Sequence, residues 1–387
     1  MRRLLLVAAI VLGVPAGAAT AAGLPAPPRG WPHRLEIGVA DPPGGAAALR
    51  RRAPLGFRYQ YLAGGANTGQ GWATWNPNGT FVTRYMTESI AARTTPVFSY
   101  YMLLQSRPAG GDEATVDLRH LRSPGVMRAW WSDFELLLRR AAAFPGRRVV
   151  VHVEPDLWGY VEQAARADRA ATVPAAVAAS GLPELAGLPD DAAGLARGIV
   201  RLRDRLAPSV TLAYHLSDWG TRHDIGLEDP PAREVDALGD RAARFYRSLG
   251  ARFDLAFTDV ADRDAGFRQH VLGDGGRSWW NAGDFARNAR FLGRFVRGAN
   301  VRVALWQVPL GNTGLPDTWG RFRDNRVQWF LGPGGRTHLR AYARAGLVAV
   351  LFGGGADGTT GPGTDGGYFL SHARAYYRAG AIPLSRR

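Results

Sequence analysis

The chain has 387 residues, a formal net charge of +15 and no cysteine, so disulfides and a cysteine-linked lipid anchor are both excluded. It has no lysine either: all 48 basic residues are arginines, scattered among 33 acids rather than gathered into a basic run, which argues against nucleic acid as a partner.

The amino terminus comes first. Arg2 and Arg3 precede an apolar run over residues 4–14, and small residues lead to Ala19-Thr20-Ala21, the small-x-small pattern of a signal-peptidase site. Residues 1–21 are therefore expected to be a secretory signal, leaving a secreted protein, extracellular or periplasmic, with no membrane attachment. A membrane anchor is disfavoured because the run is shorter than the roughly 20 residues of a span. Residues 22–30 read as a flexible segment and 31–387 as one catalytic domain. A mature chain of roughly 365 residues can be held by its core alone, and single barrels commonly reach that size.

Eight short apolar, β-branched or aromatic runs follow, at residues 35–40, 57–62, 96–103, 149–154, 210–216, 253–260, 301–308 and 347–352. Most are near-continuously apolar, as strands buried on both faces must be. Helix signals lie between them. Ser123-Pro124 caps 126–143, Asp190-Asp191 opens 192–206, and 232–249 stops at Gly250. Residues 284–296 form the next helix, Thr337 caps 339–345 before Gly346, and a last helix spans 368–379 ahead of Gly380. No clear helix joins the first two strands. This alternation implies βαβ units and an α/β fold, a single (β/α)8 TIM-type barrel with elaborated loops after strands two, six, seven and eight.

In such a barrel the active site is built where strands end. The fourth run, Val149-Val150-Val151-His152-Val153-Glu154-Pro155-Asp156-Leu157-Trp158, ends in acids, and strict alternation puts His152 and Glu154 on one face. Asp156 is either a site residue or the cap of the next helix. The fifth run continues into Asp218-Trp219, expected on the rim, while His215 is of opposite parity and reads as a core histidine. The sixth carries Asp259; Asp262 and Asp264 are expected to pair with Arg263 or to cap. The seventh offers Trp306-Gln307 and then Asn312, and the glycine-rich loop after the eighth offers Asp357.

Twelve tryptophans is a high count, and eight of them, including Trp158, Trp219 and Trp306, fall in or near the expected loops. Flat aromatic faces suit sugar rings. Glycosidic cleavage needs one carboxylic acid to protonate the leaving oxygen and a second carboxylate as base or nucleophile. Glu154 is expected as the acid and Asp259 as the second group, with Asp218 in reserve. His152, Asp156, Trp158, Trp219, Trp306, Gln307, Asn312 and Asp357 are expected to bind substrate, a carbohydrate, in a monomer that needs no cofactor or metal.

These strand ends resemble the glycoside hydrolases built on (β/α)8 barrels, in which an acid commonly follows strand four, the position of Glu154. The large retaining clan has an Asn-Glu pair there and a second Glu after strand seven. Here Val153 precedes Glu154 and strand seven offers Gln307, which argues against that clan. Val153-Glu154-Pro155-Asp156 also resembles the Glu-Pro-Asp stretch of family 6 cellulases, which use aspartates as acids, although their Asp-rich stretch after an early strand has no counterpart around residues 99–105. Two other readings stay open. One is a metal-dependent hydrolase or lyase using His152, Glu154, His215, Asp218 and Asp259. The other is a barrel that binds carbohydrate without cleaving it.

Overall fold

The structure, a computed structural model, describes residues 23–384. The expected signal segment lies outside them. Among the described residues no helix is long and apolar enough to cross a membrane.

Eight parallel strands close into a barrel in chain order. They are β1 (Glu36–Ala40), β2 (Phe57–Leu62), β3 (Thr95–Tyr100), β4 (Val149–Val153), β5 (Val210–His215), β6 (Leu255–Thr258), β7 (Val303–Val308) and β8 (Leu347–Phe352). Closure is made by β1 against β8, with Glu36 opposite Ala349 and Val39 opposite Phe352. Every residue of β4, β5, β7 and β8 is buried, which explains their unbroken apolar runs.

The outer ring consists of α1 (Ala46–Arg52), α2 (Thr80–Ala91), α3 (Pro124–Ala142), α4 (Ala192–Leu206), α5 (Ala232–Ser248), α6 (Ala282–Ala299), α7 (Gly335–Ala345) and α8 (Tyr368–Arg378). Local chemistry sets their limits. Ser123 accepts from the Val126 amide and Asp191 from the Gly194 amide at the starts of α3 and α4. Asn281 and Asp284 form a reciprocal capping box, so α6 begins ahead of the expected residue 284. Helix α1 escapes sequence reading because only Ala46 and Leu49 of its seven residues are buried, too short a stripe to show a period.

Residues 23–30, expected to be flexible, instead pack across the amino-terminal end of the barrel. Pro25 and Pro28 are buried, and the Pro25 carbonyl accepts from Arg302.

Candidate active site

The inside of the barrel, just below its carboxyl-terminal mouth, is polar. His152 of β4 and His215 of β5 are fully buried and joined, Nε2 to Nδ1, at 3.0 Å, and Ser99 of β3 lies 3.3 Å from His152 Nδ1. Trp306 of β7 packs edge-on against both rings and is 2% exposed. Burial holds both imidazoles neutral, His215 down to about 3 and His152 well below its usual value. One set of tautomers aims a proton outward: Ser99 donates to His152 Nδ1, His152 Nε2–H donates to His215 Nδ1, and His215 Nε2–H points up. What it points at is a pair of carboxylates, Asp259 at 3.6 Å and Asp156 at 3.8 Å.

Backbone strain brings these groups together. Glu154, Asp156 and Gln307 all have positive φ, at 48°, 68° and 56°. Such values are uncommon for residues other than glycine and collect at functional sites. At β4 the strain breaks alternation. Glu154 turns away from the cleft, and its carboxylate accepts from the amides of Met102 and Leu103 and from the Trp130 indole. It is 1% exposed, and the cleft lining does not include it. The expected acid is therefore a clamp on the segment after β3. Burial raises it to about 7, with those three donors opposing the rise. Asp156 takes the place expected of Glu154. Its side chain does not cap the helix Leu157–Ala164, which leaves the carboxylate free for the cleft. At β7 a register irregularity between Leu305 and Val308 aims Gln307 into the cleft, where its amide donates to the Tyr61 hydroxyl.

The cleft itself is a cavity of about 320 Å³ lined by Asp156, Asp218, Asp259, Trp219 and Gln307 together with Glu113, Tyr160, Asp224, Arg268 and others. Its acids act on one another. Burial, followed by the charges of Asp224, Asp259 and Asp156, lifts Asp218 well above the ordinary carboxyl range. Burial, then Asp259 and Glu113, does the same to Asp156. Asp259 rises to about 6, again mainly by burial. Two neighbouring carboxyls that share a site and resist ionising together can divide the roles of acid and base. Because both stand within 4 Å of one nitrogen, they are within about 8 Å of each other, a bound that admits both retaining and inverting geometries.

Several expected binding residues are elsewhere. Trp158 is fully buried outside the barrel wall, its indole bonded to the Val153 carbonyl and its ring against Tyr214 and Phe253. His152 and Trp306 form the floor beneath the cleft rather than its wall. Asn312 is 6% exposed and holds loops, donating to the Asp365 carbonyl. Asp357 is exposed, off the cleft lining. Asp262 pairs with Arg263, as expected, and with Arg268, whereas Asp264 neither pairs with Arg263 nor caps a helix and instead accepts from the Gly311 and Thr360 amides. Sequence reading missed Glu113, Tyr160 and Asp224. Glu113 follows the capping Asp112 and reads as an acid in a helix's first turn; Asp224 sits in an irregular loop with no periodic signal.

Among the described residues no three His, Asp or Glu side chains gather as a metal ion would require. A larger hollow of about 590 Å³ opens at the opposite end of the barrel, lined by Arg147, Arg148, Arg203 and Asp254. There Arg203 is bonded to Asp254, Asp204 and the Val210 carbonyl.

No known protein family matches the chain, and no curated protein does. Solved structures do. A double mutant of the Cellulomonas fimi endo-β-1,4-mannanase aligns with TM-score 0.50 at 11% identity, over 89% of this chain and 70% of that one. A modular endo-β-1,4-mannanase from the same organism gives 0.49 at 12% over the same shares, and GH26C from a Muricauda species gives 0.48 at 8%, over 88% and 85%. At 11% identity the likeness to the first of these is one of fold alone.

Proposed function

We propose that the protein is a secreted glycoside hydrolase that cleaves a poly- or oligosaccharide by carboxylate acid/base catalysis. The observation that carries this reading is the pair Asp156 and Asp259, set across His215 Nε2 at the mouth of the barrel. Asp156, held protonated by burial and by its acidic neighbours, gives its proton to the leaving glycosidic oxygen. Asp259, the carboxylate nearer to His215 Nε2, acts as nucleophile at the anomeric carbon or takes a proton from the attacking water. His215 Nε2 stands between the two, 3.6 Å from Asp259 and 3.8 Å from Asp156. Gln307 and Trp219 contact the sugar, and Glu113 helps keep Asp156 protonated through its charge. Export through residues 1–21 and action as a monomer belong to the same proposal.

The test is release of reducing ends from a panel of polysaccharides, with Asp156→Asn and Asp259→Asn in parallel. Wild-type release should fall by about 10²- to 10⁴-fold in each variant. Release that survives both substitutions would remove the pair from catalysis. Release from no substrate, with binding retained, would favour a barrel that holds carbohydrate without cutting it.

A further inference from the structure

The hollow of about 590 Å³ at the amino-terminal end of the barrel has a chemistry of its own. The turn ahead of β4 brings Arg147 and Arg148 to it, and the amino-terminal segment brings Arg29. Arg203, Asp204 and Asp254 complete its charged lining and bond one another. Four arginines against two aspartates leave a net charge of +2. Among the described residues Arg29, Arg147 and Arg148 form no ion pair and no side-chain hydrogen bond. Arg148 is half-buried, and burial pulls its pKa down against the charge of Glu36. The Glu36 oxygens are themselves taken by Arg34 and the Tyr377 hydroxyl, and Arg148 otherwise meets the Trp31 ring at 6.0 Å. A smaller hollow of about 320 Å³ shares Arg147 and Arg148, adds Arg93 and has no acid in its lining.

A second observation points to a ligand. Thr211 of β5 lines the larger hollow, is 6% exposed and has the parity of His215, so it faces the inside of the barrel. Its hydroxyl has no hydrogen-bond partner among the described residues. A hydroxyl buried to that degree is costly to leave unpaired. Ser209, on the same wall, offers another hydroxyl without a partner. The amino-terminal face of such barrels ordinarily serves stability. Unpaired arginines gathered there repel one another and work against it.

The lining thus has donors in excess and positive charge to spare. A neutral ligand would leave that charge unmatched, and a carboxylate would offset one unit of it and fill one guanidinium fork. The terminal group of a phosphate ester carries about −1.5 to −2 at neutral pH, and its three oxygens only accept. It matches the lining in charge and in hydrogen bonding. A bare phosphate ion would leave most of the hollow unfilled, since cavities of roughly 300–1,000 Å³ suit organic ligands. We infer that this hollow binds a small phosphomonoester, with the phosphate held by Arg147, Arg148 and the Thr211 hydroxyl. No residue of the cleft takes part, so the inference stands apart from the hydrolase reading.

The experiment is titration calorimetry of the whole protein with glucose 6-phosphate and glycerol 3-phosphate. Inorganic phosphate, glucose 6-sulfate, glucuronate, glucose and glycerol are the comparisons. At least one phosphomonoester should bind about tenfold or more tightly than phosphate, the sulfate ester and glucuronate, and the two neutral alcohols should not bind. High salt should weaken the binding. Arg147 is exposed, so Arg147→Gln leaves the fold intact, and it should weaken the ester about tenfold. Thr211→Val removes a hydroxyl that the fold leaves unpaired. It should keep the melting temperature at or above wild type while weakening the ester several-fold, which a merely structural threonine would not do. Arg321→Gln, exposed in the loop after β7 at the other end of the barrel, should change nothing, which separates a site from the general pull of a +15 chain on anions. No binding of either phosphomonoester overturns the inference, as does inorganic phosphate bound as tightly as the better ester. Full affinity in both Arg147→Gln and Thr211→Val, or an equal loss in Arg321→Gln, overturns it too.

Discussion

Two sets of acids stand beyond the ends of the barrel strands, one fully buried and one half-buried at the cleft, and they differ in what occupies their oxygens. In one set every carboxylate is saturated by fixed donors. Glu154 accepts from two amides and an indole, Asp264 from the amides of Gly311 and Thr360, and Asp365 from those of Gly367 and Phe369. Asp324 takes the Ala265 and Arg326 amides and the Arg326 guanidinium. In the other set, Asp156 and Asp259 meet only a neutral histidine beyond hydrogen-bond distance. A saturated carboxylate has done its work when the loop folds. An unsaturated one retains capacity for a substrate, and its burial pays off only in chemistry or binding.

The comparison predicts opposite outcomes for two acids two residues apart. The largest effect, loss of turnover, belongs to Asp156 and Asp259. Glu154→Gln should instead lower stability. Whichever way the new amide is placed, its NH2 meets an N–H of Leu103, Met102 or Trp130, leaving a buried donor without an acceptor, which costs about 1–3 kcal/mol. Denaturant unfolding measures that loss, and turnover per folded molecule should stay within a few-fold of wild type. A well-folded Glu154→Gln protein whose turnover drops about 10²-fold or more would break the distinction and return the acid role to Glu154.

A smaller effect sharpens the same contrast through pH. Asp259 is raised to about 6, Glu154 and Asp264 to about 7, and Asp156 and Asp218 well above the ordinary value, burial being the first cause in each. The folded chain therefore binds more protons than the unfolded one from about pH 4, where free carboxyls titrate, up to at least pH 7. Stability should fall as pH rises through that window. Asp218→Asn removes one of these groups, so its melting temperature should decline less steeply between those limits than that of the wild type. A parallel decline would mean that Asp218 is no harder to ionise folded than unfolded.

How much of this was legible in sequence follows from the same physics. The barrel was, because strands buried on both faces write continuous apolar runs and helices announce their caps, as at Ser123 and Asp191. So was the region of the site, since Asp156, Asp218, Asp259, Trp219 and Gln307 all reach one cleft. The choice between Glu154 and Asp156 was not. It turns on a φ of 48° at Glu154, which breaks the two-residue alternation on which any strand argument relies. His215 was set aside as a core histidine, and its ring is indeed fully buried; only the fold shows that its outer nitrogen reaches the floor of the cleft.

Two tryptophans carry the comparison from acids to aromatic rings. Trp158 sits in the protein's interior between the barrel wall and Phe253, whereas Trp219 lines the cleft beside Tyr160. Trp158→Ala should therefore act on folding, with about 3–5 kcal/mol lost to an unfilled cavity. Trp219→Ala removes a partly exposed face and should leave the melting temperature close to wild type. Its effect should appear in KM alone, raised several-fold, as an aromatic contact is worth about 0.5–1.5 kcal/mol beyond its area. Steady-state kinetics on the substrate found by the panel separates the cases. An unchanged KM in Trp219→Ala would move the sugar to another wall of the cleft. A lowered kcat would mean that the ring positions the substrate for Asp156 and Asp259 rather than only holding it.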